Sequence, residues 1–347
     1  MLVDSPPEPR AETAPAPPER RAIRGVGLLV SVAVLLLVFL ASIAVGAKSM
    51  SMDQVWHGLF HDTGTYADVV VGERLARSLL GVLAGIALGL SGAVLQALTR
   101  NPLADPGLLG INLGASAAVV SAISFFGVTS LSGYVWFAFV GAMTVGVLLY
   151  ILGGSRGATP VRLALAGTAL SAALYGYLQA VMIMDGAALN KMRFWTVGSL
   201  ASANMDTIEQ VLPFLAIGTV LALTLARPLN AMAMGDDTAR ALGAHLTRTR
   251  ILAMAAATLL CGAATAACGP IVFIGLMVPH IVRSFTGPDM RWILPYAAVL
   301  SPVLLLGADV VGRVVARPSE LQVGIVTAVI GAPVFVFLVR RRKVAQL

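Results

Sequence analysis

Long apolar runs alternate with short polar segments along this chain. A helix needs about 20 mostly apolar residues to cross a bilayer. Run length and helix-breaking residues place the predicted spans at residues 26–46, 76–98, 107–127, 131–152, 162–184, 208–226, 250–267, 270–283, 292–315 and 322–339. The eighth run is short, and Gly269-Pro270 opens it. The pattern predicts an all-α integral membrane protein, with ten transmembrane helices in residues 26–347.

Composition supports this interpretation. Hydrophobic residues make up 58% of the 347 residues and charged residues 12%, whereas a soluble domain carries about 25% charged residues. Gly81, Gly85 and Gly89 recur every four residues, so they share a helix face that another backbone can approach closely. Residues 1–25 are instead rich in proline and charge, which predicts a disordered cytoplasmic tail.

The basic residues predict the orientation. With the N-terminus inside, most of the 24 lysines and arginines fall in cytoplasmic segments, in agreement with the positive-inside rule. Both termini and the loop at residues 227–249 are then cytoplasmic. The net charge of +7 reflects these membrane anchors, so lipid is an expected partner and nucleic acid is not.

Sequence signals for catalysis are missing. The dipeptide Gly-Lys does not occur, so the chain has no Walker A loop, and no His-Glu-x-x-His motif is present. Cys261 and Cys268 lie seven residues apart in one predicted helix, which is too far for a disulfide. We expect no active site, metal site or cofactor on this chain.

The two halves of the chain share loosely parallel features. Residues 74–96 and 248–269 are both Gly/Ala-rich, begin with arginine and precede a proline-containing segment. Five helices in each half would make the repeats inverted in the membrane.

Four stretches resemble a known family. They are RNPLADPGLLG (100–110), RFWTVGSL (193–200), MGDDTARALG (234–243) and GPIVFIGLMVPHIVR (269–283). In this order they are similar to the permease subunits of ATP-driven importers for iron–siderophore complexes, haem and vitamin B12. RNPLADPGLLG, RFWTVGSL and ATPVRLALAGTAL (158–170) are most similar to the ferric enterobactin type. The resemblance covers nearly everything after residue 26.

The resemblance implies a permease subunit that moves a ferric siderophore across the cytoplasmic membrane of a bacterium, with haem or cobalamin as the alternative cargo. Its implied partners are a second permease subunit, either a copy or a paralogue, two ATPase chains that hold ATP and Mg²⁺, and an extracytoplasmic siderophore-binding protein. An ion-driven secondary transporter is the alternative from another class. It expects carboxylates within the membrane, whereas the candidates here fall in loops or near span ends: Asp105, Asp236, Asp237 and Asp309.

The segment around residues 234–245 reads as a short exposed helix. Asp236 and Asp237 suit its N-terminus, and Gly243 suits its end. It could be a plain connector. The resemblance implies a coupling helix that fits a groove in the ATPase, with Ala239, Leu242 and Gly243 as buried contacts and Asp237 and Arg240 as polar ones.

Polar residues mark a second candidate surface. Thr168, Ser171, Tyr175 and Gln179 share one face of the fifth predicted span, which favours either hydrogen bonding between helices or an aqueous path. The resemblance implies that this helix lines the translocation path. It also implies that Asn101 and Leu103 narrow the cytoplasmic mouth as a gate, the alternative being a proline-shaped turn that only joins two helices.

Three arginines are predicted at the external face, namely Arg74, Arg77 and Arg313. Pairing within the chain is one interpretation, because Glu73 and Arg77, like Asp309 and Arg313, have helix-pair spacing. The resemblance implies that the three arginines receive acidic residues of the binding protein, and this is the interpretation we favour.

Overall fold

The computed structural model describes residues 18–46, 50–60, 64–107, 109–128, 130–153, 160–241 and 243–340. These residues form helices and no strands. The helices are α1 (Pro18–Ala44), α2 (Met52–Phe60), α3 (Tyr66–Thr99), α4 (Ile111–Phe126), α5 (Leu131–Leu152), α6 (Pro160–Met184), α7 (Gly186–Trp195), α8 (Met205–Thr224), α9 (Ala226–Ala233), α10 (Asp236–Ala241), α11 (Leu246–Cys268), α12 (Ile274–Thr286), α13 (Met290–Val315) and α14 (Val323–Arg340).

Each of the ten predicted spans is confirmed as a helix: α1, α3, α4, α5, α6, α8, α11, α12, α13 and α14. Seven of them are long and apolar enough to cross a membrane alone, and α4 and α14 contain shorter apolar stretches. The predicted tail boundary is wrong at its inner end, because α1 already begins at Pro18. The rest of the predicted tail lies outside the described residues.

The two predicted halves are visible in the packing. The first half is α1 and α3–α6, and the second is α8 and α11–α14. Helices α3 and α11, which contain the two Gly/Ala-rich segments 74–96 and 248–268, pack against each other in the interior, where 78% of the apolar window of each is buried. In addition, α3 packs on α13 and α11 packs on α5. The second helix of each half thus contacts the fourth helix of the other, a reciprocal pattern that agrees with two repeats related by a pseudo-two-fold axis.

The predicted glycine face of α3 holds α13 close. A Cβ atom built on Gly85 would lie 2.5 Å from Pro302 Cα, and one on Gly89 would lie 2.7 Å from the Ala297 carbonyl oxygen. Such distances leave no room for a side chain, so these glycines permit backbone contact between the two helices.

The segment 269–273 has irregular, non-helical backbone and separates α11 from α12. Gly269 and Phe273 both have a φ of 71°, and helix α12 therefore begins at Ile274, later than the predicted 270. Non-helical backbone at this depth is tolerated where protein surrounds it. Pro279 has no N–H to donate to the Gly275 carbonyl. Gln96 Nε2 donates to that oxygen instead, at 3.2 Å, and so ties α12 to α3.

Candidate functional site

One end of the helix bundle joins the loop after α3 to the short helices α9 and α10. Asp236, the first residue of α10, accepts hydrogen bonds from Arg100 at 2.5 Å and from Arg250 at 2.6 Å. Arg100 also donates to the Met232 carbonyl at 2.6 Å. Burial opposes the ionisation of Asp236, but the hydrogen bond from Arg100 and the charge of Arg250 outweigh it, so the pKa of this carboxyl is lowered. The loop after α3 and the segment that contains α10, both predicted on the cytoplasmic side of the membrane, are therefore in contact.

The predicted short helix is present as α10, but its residues are not all placed as expected. Asp237 is fully exposed and pairs with Arg240 at 2.7 Å. Gly243 follows the helix with a φ of 79°, a conformation that favours glycine. Ala239 is 0% exposed, which corrects its assignment as a partner contact, because its methyl group packs within this chain. Leu242 lies outside the described residues. A coupling role for this segment stays a prediction.

The loop that carries the predicted gate residues is folded by its own polar groups. Asn101 Oδ1 accepts a hydrogen bond from the Leu103 backbone N–H at 3.0 Å. Asp105 Oδ1 accepts one from Gly107 N–H at 2.8 Å. Asn101 is exposed and Leu103 is half-buried, so a proline-shaped turn is present, and both residues remain candidates for a gate.

The predicted polar face of α6 is largely exposed at the surface of this chain. Thr168 is exposed, and its hydroxyl donates to its own helix, to the Ala164 carbonyl at 3.1 Å. Tyr175 is 55% exposed, whereas Ser171 and Gln179 are half-buried. Only 17% of the apolar window of α6 is buried. A polar, uncovered face on a membrane helix fits an interface or an aqueous path better than contact with lipid.

The three arginines predicted at the external face occupy a buried ionic cluster. Arg77 binds Asp309 at 2.7 Å and Glu320 at 2.6 Å. Arg313 approaches Asp309 at 3.1 Å and donates to Ser42 Oγ at 2.8 Å. Arg74 lies beside them and donates to the Ile43 and Ala44 carbonyls, both at 3.1 Å. The cluster joins α1, α3, α13 and the loop that follows α13.

This geometry corrects the picture of an open docking face. Arg74, Arg77 and Arg313 are 7%, 9% and 1% exposed, and Asp309 is 0% exposed. The spacing argument was right for Asp309 and Arg313, but Arg77 turns toward Asp309 and Glu320 on other elements instead of Glu73. The guanidinium groups would have to leave these partners to meet another protein, so docking by them stays a prediction.

Several polar contacts were not predicted from the sequence. Asn112 Oδ1 on α4 accepts hydrogen bonds from Thr265 Oγ1 at 2.9 Å and Cys261 Sγ at 3.2 Å on α11. Cys261 and Cys268 are both free and buried, as their spacing indicated. An asparagine inside an apolar run was the available signal, since a polar residue in a membrane helix usually has a partner on another helix.

The fold is that of a polytopic membrane protein built from two inverted five-helix halves. The chain belongs to the FecCD transport family, which matches residues 34–341. It is 46% identical to the ferric enterobactin transport system permease protein FepD of Escherichia coli K12, over 93% of this chain and 96% of the relative.

Two further relatives extend the comparison. The hemin transport system permease protein HmuU of Yersinia pestis is 36% identical, over 91% of this chain and 96% of the relative. A solved structure of a metal-chelate type ABC transporter in an inward-facing conformation superposes with a TM-score of 0.80 at 26% identity, covering 92% of this chain and 99% of that one. The chain is thus a multi-pass membrane permease of the ABC importer type.

Proposed function

We propose that this chain is the subunit through which an ABC importer moves a ferric siderophore across the cytoplasmic membrane of a bacterium. The observation that carries the proposal is the 46% identity to a ferric enterobactin permease over nearly the full length of both chains. The polar, uncovered face of α6 supports it, because a large hydrophilic chelate needs a path lined by hydroxyl and amide groups rather than by lipid-facing carbon.

The same proposal assigns the partners. A second permease subunit, a copy or a paralogue, covers the exposed face of α6, so that the path runs between two chains with Asn101 and Leu103 at its inner mouth. Two ATPase chains bind ATP and Mg²⁺ and push on α10. A siderophore-binding protein docks at the opposite end, near the ionic cluster. Both termini are cytoplasmic, as the distribution of basic residues supports.

An ion-driven carrier is the less supported alternative. Such a carrier needs a membrane carboxylate that releases and rebinds a cation. Asp309 is buried in α13, but it is engaged by Arg77 and Arg313, and Asp236 is engaged by Arg100 and Arg250. Neither carboxylate has the freedom that such a cycle requires.

Uptake in cells tests the proposal. Cells that lack this chain but keep the ATPase and binding-protein subunits would receive either the chain or an empty vector. Labelled ferric enterobactin, other ferric siderophores, haem and cobalamin would be offered separately. We expect the chain to restore ferric siderophore uptake alone. If the chain restores uptake of haem or cobalamin instead, that compound is the cargo and the siderophore proposal is wrong. Uptake that persists after deletion of the ATPase genes would refute the ABC mechanism.

A further inference from the structure

A cavity of about 560 Å³ lies at the end of the bundle that carries α9 and α10. It is lined by the end of α3, by α9, by the end of α12 and by the turn into α13. Three arginines line it, namely Arg24 of α1, Arg100 directly after α3 and Arg283 of α12. Asp289 is the acidic residue in this lining.

Two of these four charges are satisfied within the chain. Arg100 is bound to Asp236, as described above. Asp289 accepts a hydrogen bond from Asn230 Nδ2 at 2.6 Å and pairs with Arg291 at 2.8 Å. Burial opposes the ionisation of Asp289, but the hydrogen bonds from Arg291 and Asn230 lower its pKa. Asp289 is therefore already engaged and does not neutralise the cavity.

Arg283, unlike Arg100 and Asp289, has a side chain whose charge is not satisfied in this way within the described part of the chain. Its Nε and Nη1 atoms are buried and have no hydrogen-bond partner among the described residues. An arginine side chain does not lose its proton in proteins, and a buried charge without a partner is costly. Arg283 lines the cavity, so an anion bound there would lie next to this uncompensated charge at the last turn of α12.

Arg24 adds a second cation at the same place. Tyr296 Oη donates to the Arg24 carbonyl at 2.7 Å, which fixes the start of α1 beside α13. A Cβ atom built on Gly287 would lie 3.9 Å from Arg24 Nη2. Gly287 caps α12 by donating to the Arg283 carbonyl at 3.0 Å, so the Arg24 guanidinium lies over the turn that follows Arg283.

We propose that this cavity binds the phosphate group of an anionic phospholipid, held by Arg283 and Arg24. Phosphate offers several acceptor oxygens to guanidinium groups, and basic pockets between transmembrane helices bind lipid headgroups in this way. Exposed apolar side chains two residues beyond Arg24 and Arg283 on the same helices favour a lipid over free phosphate. Val26 is 61% exposed on α1, and Phe285 is 52% exposed on α12. The Phe285 ring packs edge-on against Tyr296, with centroids 5.3 Å apart, so an acyl chain could lie along these residues.

Native mass spectrometry of the permease purified with its ATPase chains tests the site. We expect the wild-type complex to retain anionic phospholipid, and Arg283→Gln or Arg24→Gln to lower its occupancy about tenfold, as expected for the loss of a charge-assisted hydrogen bond. Arg283→Lys keeps the charge and should keep most of the lipid, so it separates loss of binding from loss of folding. Arg340→Gln removes an exposed charge at the end of α14, outside the cavity, and is the matched control.

A second measurement identifies the source of the phosphate. The complex would be placed in nanodiscs of phosphatidylcholine, with or without phosphatidylglycerol, and its thermal stability followed with and without inorganic phosphate. The proposal expects stabilisation by phosphatidylglycerol that Arg283→Gln abolishes. Equal stabilisation by inorganic phosphate would overturn the lipid assignment. If the Arg283→Gln complex keeps its lipid but loses its ATPase chains, the lipid proposal is overturned. The partner of Arg283 would then be an acidic side chain of the ATPase.

Discussion

Single glycine residues set how closely α3 approaches its neighbours. A Cβ atom on Gly92 would overlap the Gly275 carbonyl, and one on Gly275 would lie 2.7 Å from the Leu88 carbonyl oxygen. The Gly275 carbonyl is also the acceptor that Gln96 satisfies. Separation of α3 from α12 at this point would therefore weaken the hydrogen bond from Gln96 as well as the van der Waals contact between the two helices.

Substitution at Gly92 is expected to destabilise the protein. Gly92→Ala should cost about 1–3 kcal/mol, the usual range for overpacking, and should lower the melting temperature of the purified protein. Gly72→Ala is the control on the same helix, because no atom lies within 4 Å of a Cβ atom at that position. It should be neutral or stabilising by up to about 1 kcal/mol, from helix propensity. Equal melting temperatures for the two variants would contradict the close contact.

The ionic cluster supports a second prediction for a single residue. Asp309→Asn leaves Arg77 and Arg313 without their shared carboxylate, and the loss of one partner from a buried ion pair typically costs about 3–5 kcal/mol. Thermal unfolding of the purified protein measures the loss. Asp206→Asn, at an exposed position in the first turn of α8, is the control and should change stability little. Similar melting curves for both variants would show that the cluster does not stabilise the fold.

The sequence indicated part of the ionic and glycine contacts described above. The spacing of Asp309 and Arg313 allowed their pairing as one interpretation, although docking to another protein was the favoured one, and the spacing of Gly81, Gly85 and Gly89 predicted a contact face. The partners of Arg77 were not predictable, because Asp309 and Glu320 lie 232 and 243 residues away along the chain. Only the packing of α3 on α13 brings them together.

The sequence predicted the presence of each membrane helix more reliably than the residues at which the helix begins and ends. All ten spans were predictable, because a helix in lipid must satisfy its own backbone and therefore needs a long apolar run. The start of α12 was misplaced, since Gly269-Pro270 marks a break but does not show where the helix resumes. The left-handed backbone at Phe273 depends on packing, which the sequence pattern does not contain.

Helix α10 is too short to be stable alone, so its anchors decide whether it can transmit force. Asp236 ties it to α3 through Arg100 and to α11 through Arg250. Asp236→Asn should weaken this anchoring by about 1 kcal/mol, or roughly fivefold in affinity for the ATPase chains. Retention of the ATPases during purification measures the effect, with Asp206→Asn as a control at a different helix start. Unchanged retention would argue against a coupling role for α10.

The pH dependence of this anchor follows from the lowered pKa of Asp236. A carboxylate whose pKa is lower in the folded state stabilises that state above its ordinary pKa of about 3.9, and the contribution is lost as the pH falls through the folded value. The wild-type complex should therefore hold its ATPase chains equally well throughout the neutral and mildly acidic range. A loss of association near neutral pH that Asp236→Asn removes would contradict this assignment.

The whole molecule exposes two long helices that differ in chemistry. Only 11% of the apolar window of α1 and 17% of that of α6 are buried within this chain. From Val26 onward the exposed part of α1 is apolar, which suits lipid, whereas α6 carries hydroxyl and amide groups along one face. A second permease subunit against α6 would place that face at the centre of the assembly, while α1 stays at the lipid boundary.

Thiol labelling distinguishes these two environments in the assembled transporter. The background would carry Cys261→Ala and Cys268→Ala, both at buried positions, and single cysteines would replace Thr168, Tyr175 or Leu29. Leu29 on α1 is 71% exposed in this chain, but lipid should cover it, so a water-soluble thiol reagent should not reach it. The cysteines at positions 168 and 175 should react, and trapping ATP on the partner chains should change their rate, because closure of the ATPases alters access to the path. If both α6 positions were as unreactive as position 29 in every state, or reacted equally in all states, α6 would not line a gated path.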